Sequence, residues 1–383
     1  MPPARVNEGK ATRYHRLKRR TGLLAAVAGG TVLLTLLASG TSAEIRNVVV
    51  QLVADLGLPP AWRQAGVVAA YTACVWAVLE GVLLPVRFFQ GFVLEQRYAL
   101  LRIAAVRWVS GHLKRVALSG IVVAVAAVVV SLSLATWPAW WWVVSGGTFA
   151  AATIILTNLA PVCLIPLLYS VRPMTRVRLT ERLATLAERA GVSAPRVDEC
   201  AVGATTRRAH ATLVGLGPVC RILLSDTLLA DYSDDEIEVV LAHELGHHVH
   251  RDVWQLMAFE LSVALLALLV GGWTMVRLGG VFGVAGTGDV AGLPLLALGA
   301  GGMVAAAAPF GHALSRRHER RADLFAIRMT RNPMAFISGL RRLGAQNLVE
   351  ERPSRLVELL CHRHPPLYRR VAAARRAEAA LQS

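Results

Sequence analysis

Residues His243-Glu244-Leu245-Gly246-His247 read H-E-x-x-H. On an α-helix, residues four apart share a face, so His243 and His247 can present two imidazoles to one metal ion. Glu244 stands about 100° round the helix, near enough to take a proton from an activated water without ligating the metal itself. The chemistry this spacing serves is metal-assisted hydrolysis, with zinc the expected metal. The competing reading is a polar surface helix with incidental histidines.

The approach to the pentapeptide favours a helix. Ser233 or Asp234 offers an N-cap, and Asp234, Asp235 and Glu236 fill the first turn, where the helix dipole favours negative charge. Ile237, Val240 and Leu241 recur at helical spacing.

Two histidines do not complete a catalytic zinc site, which usually has three protein ligands and an open position. The candidates are Glu319, His248, His250, His312, His318 and His364. His250 follows His247 too closely for a straight helix to bring all three imidazoles onto one tetrahedral ion, and His248 points away. Glu319 opens the helical turn Glu319-Arg320-Arg321-Ala322-Asp323, which puts Asp323 on the same face. Glu319 is the expected third ligand, and Asp323 the carboxylate that accepts from a ligand imidazole and fixes its orientation. A plain salt bridge from Glu319 to Arg316 or Arg320 is the alternative.

These residues must be held by a membrane protein. The 383 residues are 55% hydrophobic, too apolar for an ordinary soluble enzyme. Apolar runs near the ~20 residues that cross a bilayer occur at about 22–40, 65–86, 116–134, 143–168, 256–276 and 291–310. The fourth is interrupted by Pro161 and Pro166 and follows an aromatic hairpin, Trp137 to Trp142, at the expected membrane interface. The first run follows Arg13, Arg16, Lys18, Arg19 and Arg20 and reads as an uncleaved span rather than a signal peptide. Between the fourth and fifth runs the hydropathy falls to that of a soluble α+β segment. There, 179–190 has helical periodicity, while Val197, 211–215 and 221–224 read as short strands, with Gly217-Pro218 as a turn.

Six spans put both termini on one side. The Arg-rich 87–115 loop, the 172–252 segment and the basic tail fall there too, whereas the loops 41–64, 135–142 and 277–290 are poor in Lys and Arg. This asymmetry accounts for the net charge of +16 without nucleic acid as a partner, and places the site at the cytoplasmic face. Five scattered cysteines form no CxxC pair, so neither a disulfide framework nor a Cys-rich metal site is indicated. The expected organisation is a basic cytosolic N-terminus (1–21), a four-span membrane region (22–171), a catalytic segment (172–254), a two-span hairpin (255–313) and a cytosolic helical segment completing the site (314–383).

Longer stretches then carry a resemblance. Leu241-Ala242 with the pentapeptide, Ser315-Arg316 through Glu319 to Ala322-Asp323, Arg221 to Leu229, Asn332-Pro333 and His364-Pro365-Pro366-Leu367 together resemble the M48 membrane zinc endopeptidases, which include the Ste24 CAAX prenyl proteases and the HtpX heat-shock proteases. Gly91 to Glu95 through Trp108 to Leu113-Lys114 is similar to the N-terminal membrane region of the Ste24 branch. The resemblance implies one zinc per chain, bound by His243, His247 and Glu319, with Glu244 as general base. It also implies that His364 and Arg370 stabilise an oxyanion. The stretch Ala211, Thr212, Leu213, Val214 and Gly215 resembles the family's edge strand, which would hold substrate by β-augmentation. His210 stands where the Ste24 branch usually has Asn, and Arg251-Asp252 is more similar to HtpX.

The expected fold is mainly α: a polytopic membrane protein of about six transmembrane helices carrying a small cytosolic α+β gluzincin-type domain. The expected function is a zinc-dependent integral-membrane endopeptidase acting on membrane-associated proteins or peptides. High Ala, Val, Arg and Gly usage suggests a bacterial plasma membrane. Two alternatives stand beside it: an M56-like sensor protease acting on a regulator, and a non-catalytic scaffold with a structural zinc.

Overall fold

The computed structural model describes residues 4–159, 170–192, 196–214 and 221–382. Helix α1 (Ala4–Ala38) carries the basic N-terminal residues and the first apolar run on one rod. Gly40, at φ 76°, turns the chain into α2 (Thr41–Asp55). Helix α3 (Pro60–Phe88) passes through a π-helical turn (Phe89–Val93) into α4 (Leu94–Arg97). Helices α5 (Ala105–Thr136) and α6 (Trp141–Leu159) complete the N-terminal membrane region.

Among the described residues five helical stretches are long and apolar enough to cross a bilayer: Gly9–Ala38, Pro60–Arg97, Ala105–Thr136, Asp252–Phe282 and Val290–Thr330. The expected six is thus corrected to five among the described residues. The fourth run contributes a shorter apolar helix, Trp141–Thr157, and its expected continuation through Pro161 and Pro166 lies outside the described residues. A second correction concerns 41–64, expected as a loop. Glu44, Arg46, Gln51 and Asp55 made it look polar, but they lie around the amphipathic α2, which buries Val49 and Val53 in a cluster with Leu36, Val68 and Tyr71. Ser42 Oγ bonds the Tyr71 hydroxyl at 2.6 Å and donates to the Ala291 carbonyl at 2.7 Å, and Arg46 meets Asp289 at 2.6 Å. The turn ahead of the last span is thereby fastened to α2.

The remaining elements carry the pentapeptide and the last two spans. They are β1 (Val171–Pro173), α7 (Val177–Arg189), β2 (Arg196–Cys200), β3 (Ala211–Val214), β4 (Arg221–Ser225) and α8 (Asp226–Asp231). Then come α9 (Asp234–Val249), α10 (Asp252–Leu278), α11 (Leu293–Thr330), α12 (Pro333–Gln346), α13 (Arg355–Cys361) and α14 (Leu367–Gln382). The sheet order is β1-β2-β4-β3, with β2 parallel to β4 and the other pairs antiparallel, so β3 lies at an edge. The expected Gly217-Pro218 turn falls outside the described residues.

One apolar core joins α7, the sheet, α9, the end of α11, α12 and α14. Leu179, Leu183 and Leu186 line the inner face of α7, Ile222 and Leu224 come from β4, and Ile237, Leu241 and Leu245 from α9. Complete burial of a leucine contributes about 1.5–3 kcal/mol, so this stripe fixes α9 against the sheet. On its other side α9 crosses α11 very closely. A Cβ at Gly246 would stand 3.0 Å from the Ala322 backbone, so the glycine of the pentapeptide permits the approach. Helix α11 runs unbroken from the membrane into this contact, about 57 Å at 1.5 Å per residue.

Candidate active site

Helix α9 has the cap its sequence suggests. Ser233 accepts from the Glu236 N–H, and the Glu236 carboxylate accepts from the Ser233 N–H, a reciprocal capping box. The helix ends at Val249, and Arg251, left-handed at φ 55°, breaks it from α10. His243 and His247 project from one face of α9, their rings 4.8 Å apart, toward Glu319 on α11. Glu319 Oε2 lies 3.4 Å from His243 Nε2, and Oε1 lies 3.4 Å from His247 Nε2. These three residues each offer one ligand atom within 4.8 Å of the others, and among the described residues they are the group suited to a metal. His248 and His250 are outside it; the His250 ring instead bonds the Gly246 carbonyl through Nδ1 at 2.6 Å.

The second nitrogen of each imidazole is also engaged. His243 Nδ1 lies 3.0 Å from Asp323, which a two-pronged contact with Arg370 holds at 2.5 and 2.8 Å. His247 Nδ1 lies 2.8 Å from Asp252, which is paired with Arg321. With Nδ1 of His247 bonded to Asp252 and Nδ1 of His243 against Asp323, each Nε2 is left to turn a lone pair toward the centre, as a metal ligand requires. The donor set of two imidazole nitrogens and a carboxylate oxygen therefore fits a divalent ion.

The local field points the same way. Burial by itself pushes the His243 pKa down, but its bonds to Asp323 and Glu319 outweigh that and hold it up to about 10. His247 is likewise held up to about 9 against burial by Asp252 and Glu319. The pocket favours positive charge between these carboxylates. Glu244, with no cation in hydrogen-bond contact, is pushed above the usual carboxylate value by desolvation.

Sequence reasoning placed Asp323 on the Glu319 face, and it lies against His243. It missed Asp252. Arg251-Asp252 was visible as a dipeptide, but its position behind His247 depends on the helix break between them.

His364, ahead of α14, puts Nδ1 2.9 Å from Glu319 Oε2 and is otherwise exposed. Arg370 has its fork on Asp323 and one nitrogen 3.5 Å from Glu319. A cavity of about 360 Å³ contains His243, Glu244, Glu319, His364, Arg370 and Ala211, with Val240, Phe336 and Leu343 among its apolar walls. Across Glu244 a second cleft, about 650 Å³, is lined by Thr212, Leu213, His247 and Asp252. Strand β3 thus runs past the pentapeptide from one cleft to the other. Val214 ends the strand, and Gly215 lies outside the described residues.

With this geometry in hand, the comparisons divide the chain in two. Residues 173–378 match Peptidase family M48. Residues 8–170 match the family described as CAAX prenyl protease N-terminal, five membrane helices. An uncharacterized metalloprotease, YhfN, of Bacillus subtilis (strain 168) is 31% identical over 242 residues, 62% of this chain and 57% of that protein. A CAAX prenyl protease 1 homolog of Oryza sativa subsp. japonica is 27% identical over 355 residues, 82% of this chain and 78% of its own. The crystal structure of S. mikatae Ste24p superposes with a TM-score of 0.81 at 20% identity, over 98% of this chain and 91% of that one, a likeness of fold.

Proposed function

The chain belongs to peptidase family M48, and from that membership we propose that it is a zinc-dependent endopeptidase of the membrane, cutting membrane-associated proteins or peptides in processing or quality control. The observation that carries this reading is the convergence of His243, His247 and Glu319 with Glu244 where two clefts meet beside an open strand edge. Zinc held by the three ligands would lower the pKa of a water to around 7 and polarise the scissile carbonyl.

The chain's own groups do the rest. Glu244 takes the water proton and passes it to the leaving amine, and its raised pKa makes it a stronger base for the first transfer. Asp323 and Asp252 hold the two imidazoles in the tautomer that keeps Nε2 free. The resemblance assigns both His364 and Arg370 to an oxyanion. Arg370 spends its fork on Asp323, so its part is to position that carboxylate behind His243, while the exposed His364, with Nδ1 against Glu319, has Nε2 left to meet developing negative charge. The free edge of β3 receives the peptide.

A structural zinc in a scaffold would call for four protein ligands. The metal-suited group among the described residues has three, which favours the enzyme. The end of the membrane bundle that bears the site also carries the basic residues of α1 and the Arg-rich segment around α4, which favours a cytosolic active site.

The test is Glu244→Gln. Purified in detergent, this variant should bind zinc like the wild type and lose at least about 1,000-fold in cleavage of β-casein, as expected when a base and its proton delivery are both removed. Cleavage within threefold of wild type would sink the assignment.

A further inference from the structure

Strand β3 presents an open edge, but one end of that edge is closed by a side chain. β3 and β4 are antiparallel, with Thr212 opposite Leu223 and Val214 opposite Arg221. One step before the strand, the Ser225 N–H donates to the His210 carbonyl at 2.9 Å. The backbone groups of successive residues in such a ladder alternate in direction. His210, Thr212 and Val214 therefore turn theirs toward β4, while Ala209, Ala211 and Leu213 turn theirs outward.

At Ala209 both outward groups are taken by one carboxamide. The Ala209 N–H donates to Asn347 Oδ1 at 3.2 Å, and Asn347 Nδ2 donates to the Ala209 carbonyl at 3.1 Å. Asn347 thus imitates a neighbouring strand for a single residue. It is also firmly seated. Its own N–H bonds the Leu343 carbonyl at 2.9 Å, closing α12. The next residue, Leu348, is left-handed at φ 52° and buried among Ala11, Tyr14, Leu94 and Leu100 of the membrane region's inner end. Among the described residues no backbone partner occupies the outward groups of Ala211 or Leu213.

We infer that Asn347 is the end stop of the substrate groove. Among the described residues an extended peptide pairs with Ala211 and Leu213, and it cannot continue along Ala209. Asn347 is a positioning residue that fixes how far a peptide reaches beyond the zinc site on the Ala209 side. The inference rests on the peptidase reading above and adds to it a limit on register.

The experiment separates the two. Zinc-loaded wild-type protein in detergent is used to map a cleavage site in β-casein, and a fluorescein-labelled decapeptide spanning that site is the probe. Fluorescence anisotropy then gives the affinity of Glu244→Gln protein for the decapeptide and for each of its single N-methyl versions. N-methylation deletes one peptide N–H. Two positions, two residues apart, should each weaken binding about fivefold, the effect of one hydrogen bond. The position two residues further toward the Ala209 end should be tolerated. In the Glu244→Gln, Asn347→Ala double variant that third position should become sensitive. This pattern reads register, which a purely structural role of Asn347 would leave unchanged, and the first arm needs no substitution at 347. Sensitivity of the position on the Ala209 side with Asn347 present, or an unchanged pattern in the double variant, overturns the inference alone. Intact β-casein after incubation with the zinc-loaded wild type overturns the peptidase reading and the inference with it.

Discussion

His243 and His247 are each backed by a carboxylate and an arginine, yet the two supports are built differently. Behind His243, Asp323 comes from α11 and Arg370 from α14, and the arginine side chain is only 13% exposed. Behind His247, Asp252 is the first residue of α10, and Arg321 from α11 is 33% exposed. The first support ties the site to the C-terminal helix through a sealed contact. The second ties it to the start of a membrane span through a wetter one. Identical chemistry on two imidazoles therefore sits in two dielectric settings, and charge removal should cost more in the drier one.

The largest separation should come from the carboxylates. Asp323→Asn should weaken zinc binding about 100-fold and Asp252→Asn about 10-fold, the two ends of the range for such outer carboxylates. Asp323→Asn also leaves Arg370 buried without its partner, which costs about 3–5 kcal/mol, so its melting temperature in detergent should fall as well. After Asp252→Asn, Arg321 can turn to solvent and the melting temperature should stay near wild type. Zinc affinity from chelator competition, with thermal melts on the same samples, measures both. Equal losses would mean that exposure of the arginine does not distinguish the two supports.

The arginines give a smaller contrast. Arg370→Ala should lower zinc affinity about tenfold, because Asp323 stays buried and can rotate away from His243. Arg321→Ala should cost less than about threefold, since Arg321 is 33% exposed and solvent screens its ion pair, which is then worth about 0–1 kcal/mol. Salt sharpens the difference: raising ionic strength from 0.05 to 0.5 M should shrink the Arg321 effect and leave the Arg370 effect in place. An Arg321→Ala loss that exceeds the Arg370→Ala loss at both salt levels breaks the comparison.

The same contrast explains what could be read from the chain beforehand. Asp323 was legible because it sits four residues after Glu319 on one uninterrupted helix, where spacing translates directly into direction. Asp252 was not. Five residues beyond His247 on a straight helix it would lie about 140° away, and only the left-handed Arg251 swings it back. The spans were legible from hydropathy, apart from the fourth run, of which the described residues hold the shorter apolar helix Trp141–Thr157. α2 was hidden because its polar residues surround a narrow stripe of Val49 and Val53 whose partners, Leu36 and Tyr71, come from other helices. β1 is three residues long and contains Pro173, so neither length nor alternation marks it. Gly246 could be counted as part of a motif, but its purpose appears only where Ala322 packs against it.

The smallest effect should come from a change that cannot tell the two supports apart. Both imidazoles ride on α9, and its N-terminus is held by Glu236. That carboxylate accepts from the Ser338 hydroxyl at 2.6 Å and from the Ser233 N–H at 3.0 Å, with Arg342 at 3.3 Å. Burial alone would raise the Glu236 pKa, but the Ser338 and Ser233 bonds and the Arg342 charge together lower it below the ordinary 4.5. A carboxylate depressed in the folded state stabilises the fold above its unfolded pKa, and the contribution is lost as pH falls through the folded value. Glu236→Gln should therefore cost about 1 kcal/mol at pH 7, typical of a lost cap, and the gap to wild type should narrow on acidification below pH 4.5. Because the helix moves as a unit, the variant should not change the ratio of the Asp323→Asn and Asp252→Asn zinc affinities. Chelator competition on the two double variants measures that ratio, and a shift of more than about threefold would mean that the two imidazoles are positioned separately along α9 rather than by one rigid rod.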